Sequence, residues 1–83
     1  MPGAVILSAT RTPIGSFGGS LKDVSASELA RVVIEKAVAR AGVEPDDIEE
    51  VILGNVLQAG VGMNVARQAA IAAGVPDTVP SFT

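Results

Sequence analysis

The stretch from Val51 to Gly74 is where residue types and spacing come closest to supporting chemistry. It opens with an aliphatic run, breaks at Gly60-Val61-Gly62 and restarts as an Ala-rich segment at Asn64. A buried strand, a Gly-bearing loop and a helix N-terminus in this order direct backbone N–H groups and loop side chains to one point in space. The groups that would react there are absent, because the sequence contains no Cys and no His. It therefore predicts part of an enzyme's framework rather than a complete active site.

The sequence does not fit three common nucleotide-binding and hydrolase motifs. A dinucleotide fingerprint would need Gly or Ala where Val65 stands, and an acidic residue at the end of a following strand. The glycine-rich loop at residues 11–21 lacks the Gly-Lys-Ser/Thr ending of a phosphate-binding P-loop, and no helix starts directly after it. No Gly-x-Ser-x-Gly elbow occurs, and a catalytic triad cannot be built without His or Cys.

Charge and hydropathy exclude several classes of partner. The net charge is −3 and no Lys/Arg cluster occurs, so a nucleic-acid surface is not expected. No apolar run approaches the roughly 20 residues of a membrane helix. The apolar run at residues 4–7 is too short for a signal peptide and no basic residue precedes it. We expect a cytoplasmic protein with no membrane partner.

A metal site is also not expected. Four carboxylates lie close together in the segment between the first helix and the second strand, but they do not have the spacing of an EF-hand. A solvated acidic surface explains this cluster better than a metal site does. The four residues are Asp46, Asp47, Glu49 and Glu50.

The first elements are predicted to be a strand and a loop. Residues 4–10 (AVILSAT) are consecutively apolar and β-branched, which is typical of a strand covered on both faces. Residues 11–21 follow as a structural loop, in which Pro13 cannot join a ladder and Gly15 permits turns. Because Arg11 directly follows a buried strand, we expect its charge to be paired internally.

The remaining elements alternate between helices and strands. Ser25 and Glu28 fit a capping box for a helix that ends at Ala41, before Gly42. Residues 51–58 read as a second strand and residues 65–73 as a second helix, with Asn64 as N-cap and Gly74 as stop. Residues 79–83 begin another extended segment. Right-handed crossovers stepping in one direction would put both helices on one face of the sheet and leave its other face bare.

Two long motifs resemble the thiolase family, specifically its biosynthetic acetyl-CoA acetyltransferases. Residues 11–21 (RTPIGSFGGSL) look like the family's loop after the first strand. Residues 54–60 (GNVLQAG), followed by Gly62, Asn64, Ala66, Arg67 and Gln68, look like its second-strand loop and helix. The resemblance covers essentially all 83 residues in order and without gaps.

The resemblance implies an α/β fold. The chain would be the βαβαβ part of a thiolase-like layered αβαβα fold with a mostly parallel sheet. Residues 1–83 would form an incomplete N-terminal part of the thiolase N-terminal domain, with no internal boundary.

The resemblance also implies a reaction: reversible condensation of two acetyl-CoA molecules to acetoacetyl-CoA and CoA through an acyl-cysteine. The Cys would lie beyond Thr83, so no catalytic residue is expected within the chain. Coenzyme A thioesters are substrates and no other cofactor is implied. A homo-oligomer, either a dimer or a homotetramer, is expected.

Further roles follow from the same resemblance. The loop near the partner's active site and subunit interface would include Gln58, Met63, Asn64 and Arg67. Many relatives have Gln where this chain has Met63, which weakens any polar role at that position.

Two alternatives remain open at this point. One is a degradative 3-ketoacyl-CoA thiolase or another condensing enzyme of the superfamily. The motif at residues 54–68 argues against ketoacyl synthases, but it does not separate degradative from biosynthetic thiolases. The other is a binding or interaction module that uses this fold without catalysis.

Overall fold

A computed structural model describes residues 3–83, which contain two α-helices, a 3₁₀ turn and a two-stranded parallel sheet. Helix α1 spans Ala26–Ala41 and the 3₁₀ turn spans Pro45–Asp47. Strand β1 is Val51–Ile52, helix α2 is Val65–Ala72 and strand β2 is Ser81–Phe82. The chain therefore has the predicted α/β character, with both predicted helices.

The capping residues explain where the helices begin and end. The Ser25 hydroxyl accepts a hydrogen bond from Glu28 N at 3.2 Å, which satisfies one of the free N–H groups of the first turn. Gly42 ends α1 with φ 73°, a left-handed conformation that glycine adopts without steric cost. The other half of the predicted capping box is wrong, because the Glu28 carboxylate binds Arg31 instead of reaching back to Ser25.

The sheet is parallel, as predicted, but short. Val51 pairs with Ser81 and Ile52 pairs with Phe82. Val51 N donates to Pro80 O at 2.9 Å, and Leu53 N donates to Phe82 O at 3.1 Å. The predicted strand over residues 51–58 is therefore too long, because β2, its one neighbour among residues 3–83, offers two residues for pairing.

The predicted first strand at residues 4–10 is wrong for this structure. The segment is extended but joins no ladder, and its aliphatic side chains are largely exposed rather than covered on both faces. It lies beside α1, where the Ser8 hydroxyl donates to Ala37 O at 2.7 Å. A strand needs a neighbour to pair with, and in the part of the chain that the structure describes β1 and β2 pair only with each other.

The core lies between α2 and the face of the sheet that Val51 occupies. Val51, Ala66, Ala70, Val75 and Val79 form one buried cluster, against which partly buried aliphatic side chains pack: Ile34 of α1, Ile48 and Leu53. Alanines on α2 let the helix approach the strands closely. No helix in the part of the chain that the structure describes is long and apolar enough to cross a membrane.

Candidate functional site

The carboxyl ends of the two strands meet the N-terminus of α2. Because β1 and β2 are parallel, both strands end at the same edge of the sheet. Asn64, the N-cap of α2, reaches this edge and donates from Nδ2 to Ser81 O at 3.0 Å. In parallel α/β sheets ligand sites form outside the carboxyl ends of the strands, so this edge is the candidate functional site.

Two side chains already satisfy N–H groups in the first turn of α2. Asn64 Oδ1 accepts from Arg67 N at 3.1 Å, as the sequence predicted for an N-cap. Thr83 Oγ1 accepts from Ala66 N at 3.0 Å and donates to Asn64 Oδ1, 3.2 Å away. The bond from Ala66 N therefore joins α2 to the end of β2, and neither N–H group is free to bind a ligand.

Asn64 adopts an unusual conformation for an N-cap. Its φ of 48° and ψ of 78° are left-handed, whereas N-cap residues are normally extended. It is the only residue other than glycine with a positive φ among residues 3–83. Asn tolerates this region better than most residues, because its short polar side chain can hydrogen-bond locally.

The loop between β1 and α2 is braced by Gln68. Its side-chain Nε2 donates to Val61 O at 2.7 Å and to Met63 O at 2.9 Å. Gly62, at φ 83°, passes so close that a Cβ there would stand 2.9 Å from Nε2. The loop is thus held in one shape by a side chain of the following helix.

The predicted site residues of this loop point to different partners. Gln58 Nε2 donates to Asn55 O at 2.9 Å, and Arg67 donates from a terminal guanidinium nitrogen to Val79 O at 3.3 Å. Met63 is 90% exposed at the loop surface. Of these four side chains, only that of Asn64 takes part in the hydrogen bonds at the strand ends. The structure therefore does not bring all four side chains together at one point.

Asn55, three residues after the end of β1, has one buried polar atom. Its Nδ2 is shielded from solvent and has no hydrogen-bond partner within residues 3–83. It lines a cavity of about 180 Å³ between the start of α1, the end of β1 and Val65. Buried polar groups normally find partners, which makes this atom an exception at the candidate site.

The hydrogen bonds described for the predicted structural loop at residues 11–21 are local. Arg11 donates to Thr12 O at 3.2 Å and is exposed, so the expectation that its charge is paired internally is wrong. Gly15 lies against Leu21, whose Cδ1 would be 3.3 Å from a Cβ at Gly15. Pro13 is exposed, and tight turns follow from Ser16 onward.

The charged groups that interact most closely lie on α1, away from the strand ends. Arg31 binds Glu28 and Glu35, which are three residues before it and four after it on the helix. The hydrogen bond from Arg31 lowers the pKa of the Glu28 carboxyl below its usual value. Because these two ion pairs lie on the exposed face of α1, they contribute little to the free energy of folding.

Comparison with known families identifies the chain. The family model described as "Thiolase, N-terminal domain" matches residues 4–83. The chain belongs to the thiolase family. Its fold agrees with a crystal structure of the Acat5 thiolase from Ascaris suum in complex with coenzyme A, at a TM-score of 0.92 and 47% identity. That match covers 94% of this chain and 20% of that one.

Named relatives agree with this thiolase assignment. The chain is 57% identical over 83 residues to an acetyl-CoA acetyltransferase of Cupriavidus necator, which covers 100% of this chain and 21% of the relative. It is 53% identical over 79 residues to an acetyl-CoA acetyltransferase of Syntrophomonas wolfei, covering 95% of this chain and 20% of the relative. A probable acetyl-CoA acyltransferase of Staphylococcus aureus is 53% identical over 83 residues, which cover 100% of this chain and 21% of the relative.

These comparisons confirm the family and the fold class predicted from the sequence. The chain spans about a fifth of the length of the relatives it matches. Sequence reasoning missed Thr83 and Gln68 as contributors to the site. Their bonds reach across 17 and 7 residues of sequence, and no local pattern signals them.

Proposed function

We propose that this chain is the N-terminal part of an acetyl-CoA acetyltransferase of the biosynthetic type. The observation that carries the proposal is the 57% identity, over the whole chain, to the acetyl-CoA acetyltransferase of Cupriavidus necator. The placement of β1, β2 and α2 supports it, because the strand ends form the edge at which α/β folds place their sites. The parent protein would be an acyltransferase.

The proposed reaction condenses two acetyl-CoA molecules. A cysteine thiolate beyond Thr83 attacks the first thioester carbonyl, the C–S bond to CoA breaks, and CoA leaves as a thiol after taking up a proton. The second acetyl-CoA loses an α-proton, and its carbon attacks the acetyl-cysteine to form acetoacetyl-CoA and regenerate the thiolate. Preorganised N–H donors would stabilise the oxyanion in both steps. No cofactor beyond the CoA thioesters is required.

The assembly is part of the same proposal. Exposed Met63 and the braced loop around it would face a second subunit in a homo-oligomer, dimer or tetramer, with Gln58, Asn64 and Arg67 supporting the loop. The remainder of the thiolase chain would cover the exposed aliphatic surface of the sheet. We place the protein in the cytoplasm, without nucleic-acid or membrane partners.

A degradative 3-ketoacyl-CoA thiolase is the second candidate. The Staphylococcus aureus relatives, named as probable acetyl-CoA acyltransferases, favour it at 53% identity. The residues that select acyl-chain length are expected outside this chain, so the two candidates differ in substrates rather than in any contact described above.

Thiolysis kinetics separate the candidates. The full-length protein is assayed with CoA and either acetoacetyl-CoA or a 3-ketoacyl-CoA of long chain, with kcat/KM measured for each. We expect cleavage of acetoacetyl-CoA with strong preference over the long-chain substrate. Equal or greater kcat/KM for the long chain would support the degradative enzyme, and no cleavage of either would support the non-catalytic module.

A further inference from the structure

We infer that Asn64 and Thr83 are positioning residues for acyl transfer. Their hydrogen bonds fix the end of β2 against the first turn of α2 and so set the direction in which the polypeptide continues after Thr83. The inference rests on the proposed function, because it concerns the site at this edge of the sheet.

The sheet itself does not place Thr83. The last hydrogen bond between the strands runs from Leu53 N to Phe82 O, so Thr83 lies one residue past the ladder. What holds it is its own hydroxyl, which accepts from Ala66 N at 3.0 Å and donates to Asn64 Oδ1 at 3.2 Å. A hydroxyl has one proton to donate, and this geometry uses both its donor and its acceptor capacity.

Asn64 does more than cap a helix. An N-cap needs only a side-chain oxygen, which Ser, Thr or Asp supplies equally well. Asn64 also uses its amide, from which Nδ2 donates to Ser81 O at 3.0 Å. Aspartate could reproduce the cap but has no proton to donate to Ser81 O when ionised. The choice of Asn therefore couples the helix start to the strand end.

Tight coupling at this point has a chemical consequence. Reacting groups must be held close to their productive geometry, and a displacement of about 1 Å can lower turnover by about 100-fold. Ser81 and Thr83 are hydrogen-bonded to the first residues of α2 and its N-cap. These bonds fix the position at which the segment after Thr83 begins. Loss of either tie is expected to reduce kcat more than it reduces binding of CoA.

The test compares single substitutions in the full-length protein. Thr83→Val keeps the side chain's shape and removes the hydroxyl, and Thr83→Ser restores it. Asn64→Asp keeps the cap and removes the amide donor. Thr78→Val is the matched control, because it makes the same substitution at an exposed threonine of the segment that leads to β2. Measurements are kcat, KM for CoA, melting temperature and the pH dependence of thiol alkylation.

We expect Thr83→Val and Asn64→Asp to lower kcat by about 10- to 100-fold per folded site, with KM for CoA changed less than about twofold. Thr83→Ser should recover most of the rate, and Thr78→Val should match the wild type. Asn64→Asp should lower the melting temperature modestly, because it keeps the helix cap but loses the hydrogen bond to Ser81 O.

Two outcomes would overturn the inference and are distinct from failure of the proposed function. If the wild type catalyses thiolysis but Thr83→Val has the kcat of Thr78→Val, the hydroxyl positions nothing. If kcat falls only in proportion to the folded fraction, the contacts are merely structural. A wild type without acyl transfer would instead refute the proposed function and, with it, this inference.

Discussion

At the scale of single residues, Arg67 shows how the fold accommodates a charge in an unfavourable place. It stands in the first turn of α2, where the helix dipole disfavours a cation. Its guanidinium donates to Val79 O at 3.3 Å, and this carbonyl belongs to a core residue that is 6% exposed. The partner that compensates this charge is thus a backbone carbonyl of the same chain.

Removing this contact should lower stability and leave the chemistry intact. We expect Arg67→Ala in the full-length protein to reduce the free energy of unfolding by about 1.5 kcal/mol, typical of a hydrogen bond to a charged group. Denaturant unfolding measures the loss, and kcat is then normalised to the folded fraction. Arg40→Ala is the control, since Arg40 is exposed in the last turn of α1.

The outcome that contradicts a structural role is the reverse pattern. If Arg67→Ala retained the stability and assembly of the wild type but abolished turnover per folded site, Arg67 would belong to the catalytic machinery.

At the scale of elements, the helices were predicted more accurately than the strands, which were found in parallel but at two of the three predicted places and shorter than expected. Ser25, Gly42 and Asn64 lie at helix ends and carry local signals, and the helices begin within one residue of the predicted positions. The segment at residues 4–10 has an equally clear strand composition, yet it forms no ladder. A strand exists only with a neighbour, and β-propensity mainly describes how well a residue fits such a surface.

The loop between β1 and α2 owes its shape to a contact that local patterns do not reveal. Gln68 binds two loop carbonyls, and Gly62 leaves room for its amide. Gly60 has a similar φ of 78°, but nothing lies within 4 Å of the position a Cβ would take. Alanine substitutions at the two positions therefore distinguish the effect of backbone strain from the effect of losing the Gln68 hydrogen bonds.

We expect Gly62→Ala to loosen the loop and Gly60→Ala to leave it ordered. Both substitutions force alanine into a left-handed conformation, at a cost of about 1–2 kcal/mol. Only Gly62→Ala also displaces Gln68. Hydrogen exchange of the loop amides should therefore rise in Gly62→Ala well beyond its rise in Gly60→Ala. Equal exchange in the two variants would show that Gln68 does not hold the loop.

At the scale of the whole molecule, the sheet has one covered face and one open face. Val51 is buried under α2, whereas the paired residues Ile52 and Phe82 are 62% and 49% exposed. The sequence predicted this bare face from the handedness of the crossovers, but it did not predict which side chains would lie there. Such apolar surface in a soluble protein is normally covered by other polypeptide.

The family could be predicted from the sequence because two long motifs stand at the right separation. The contacts at the candidate site could not, because Thr83 meets Ala66 only after the chain has passed through α2 and returned to the sheet. Tertiary packing decides such bonds. The chain itself carries no Cys or His, so it supplies neither a thiolate nor an imidazole to the candidate site.

The most direct test of the central claim is to trap the acyl-enzyme. The full-length protein and the isolated 83-residue polypeptide are each mixed with acetyl-CoA, quenched in acid and analysed by intact-protein mass spectrometry. We predict one acetyl group per subunit on a cysteine of the full-length protein, and none on the isolated polypeptide, which has no cysteine to form the thioester. A full-length protein that stays unmodified, or a stoichiometric adduct on the 83-residue polypeptide, would contradict the account.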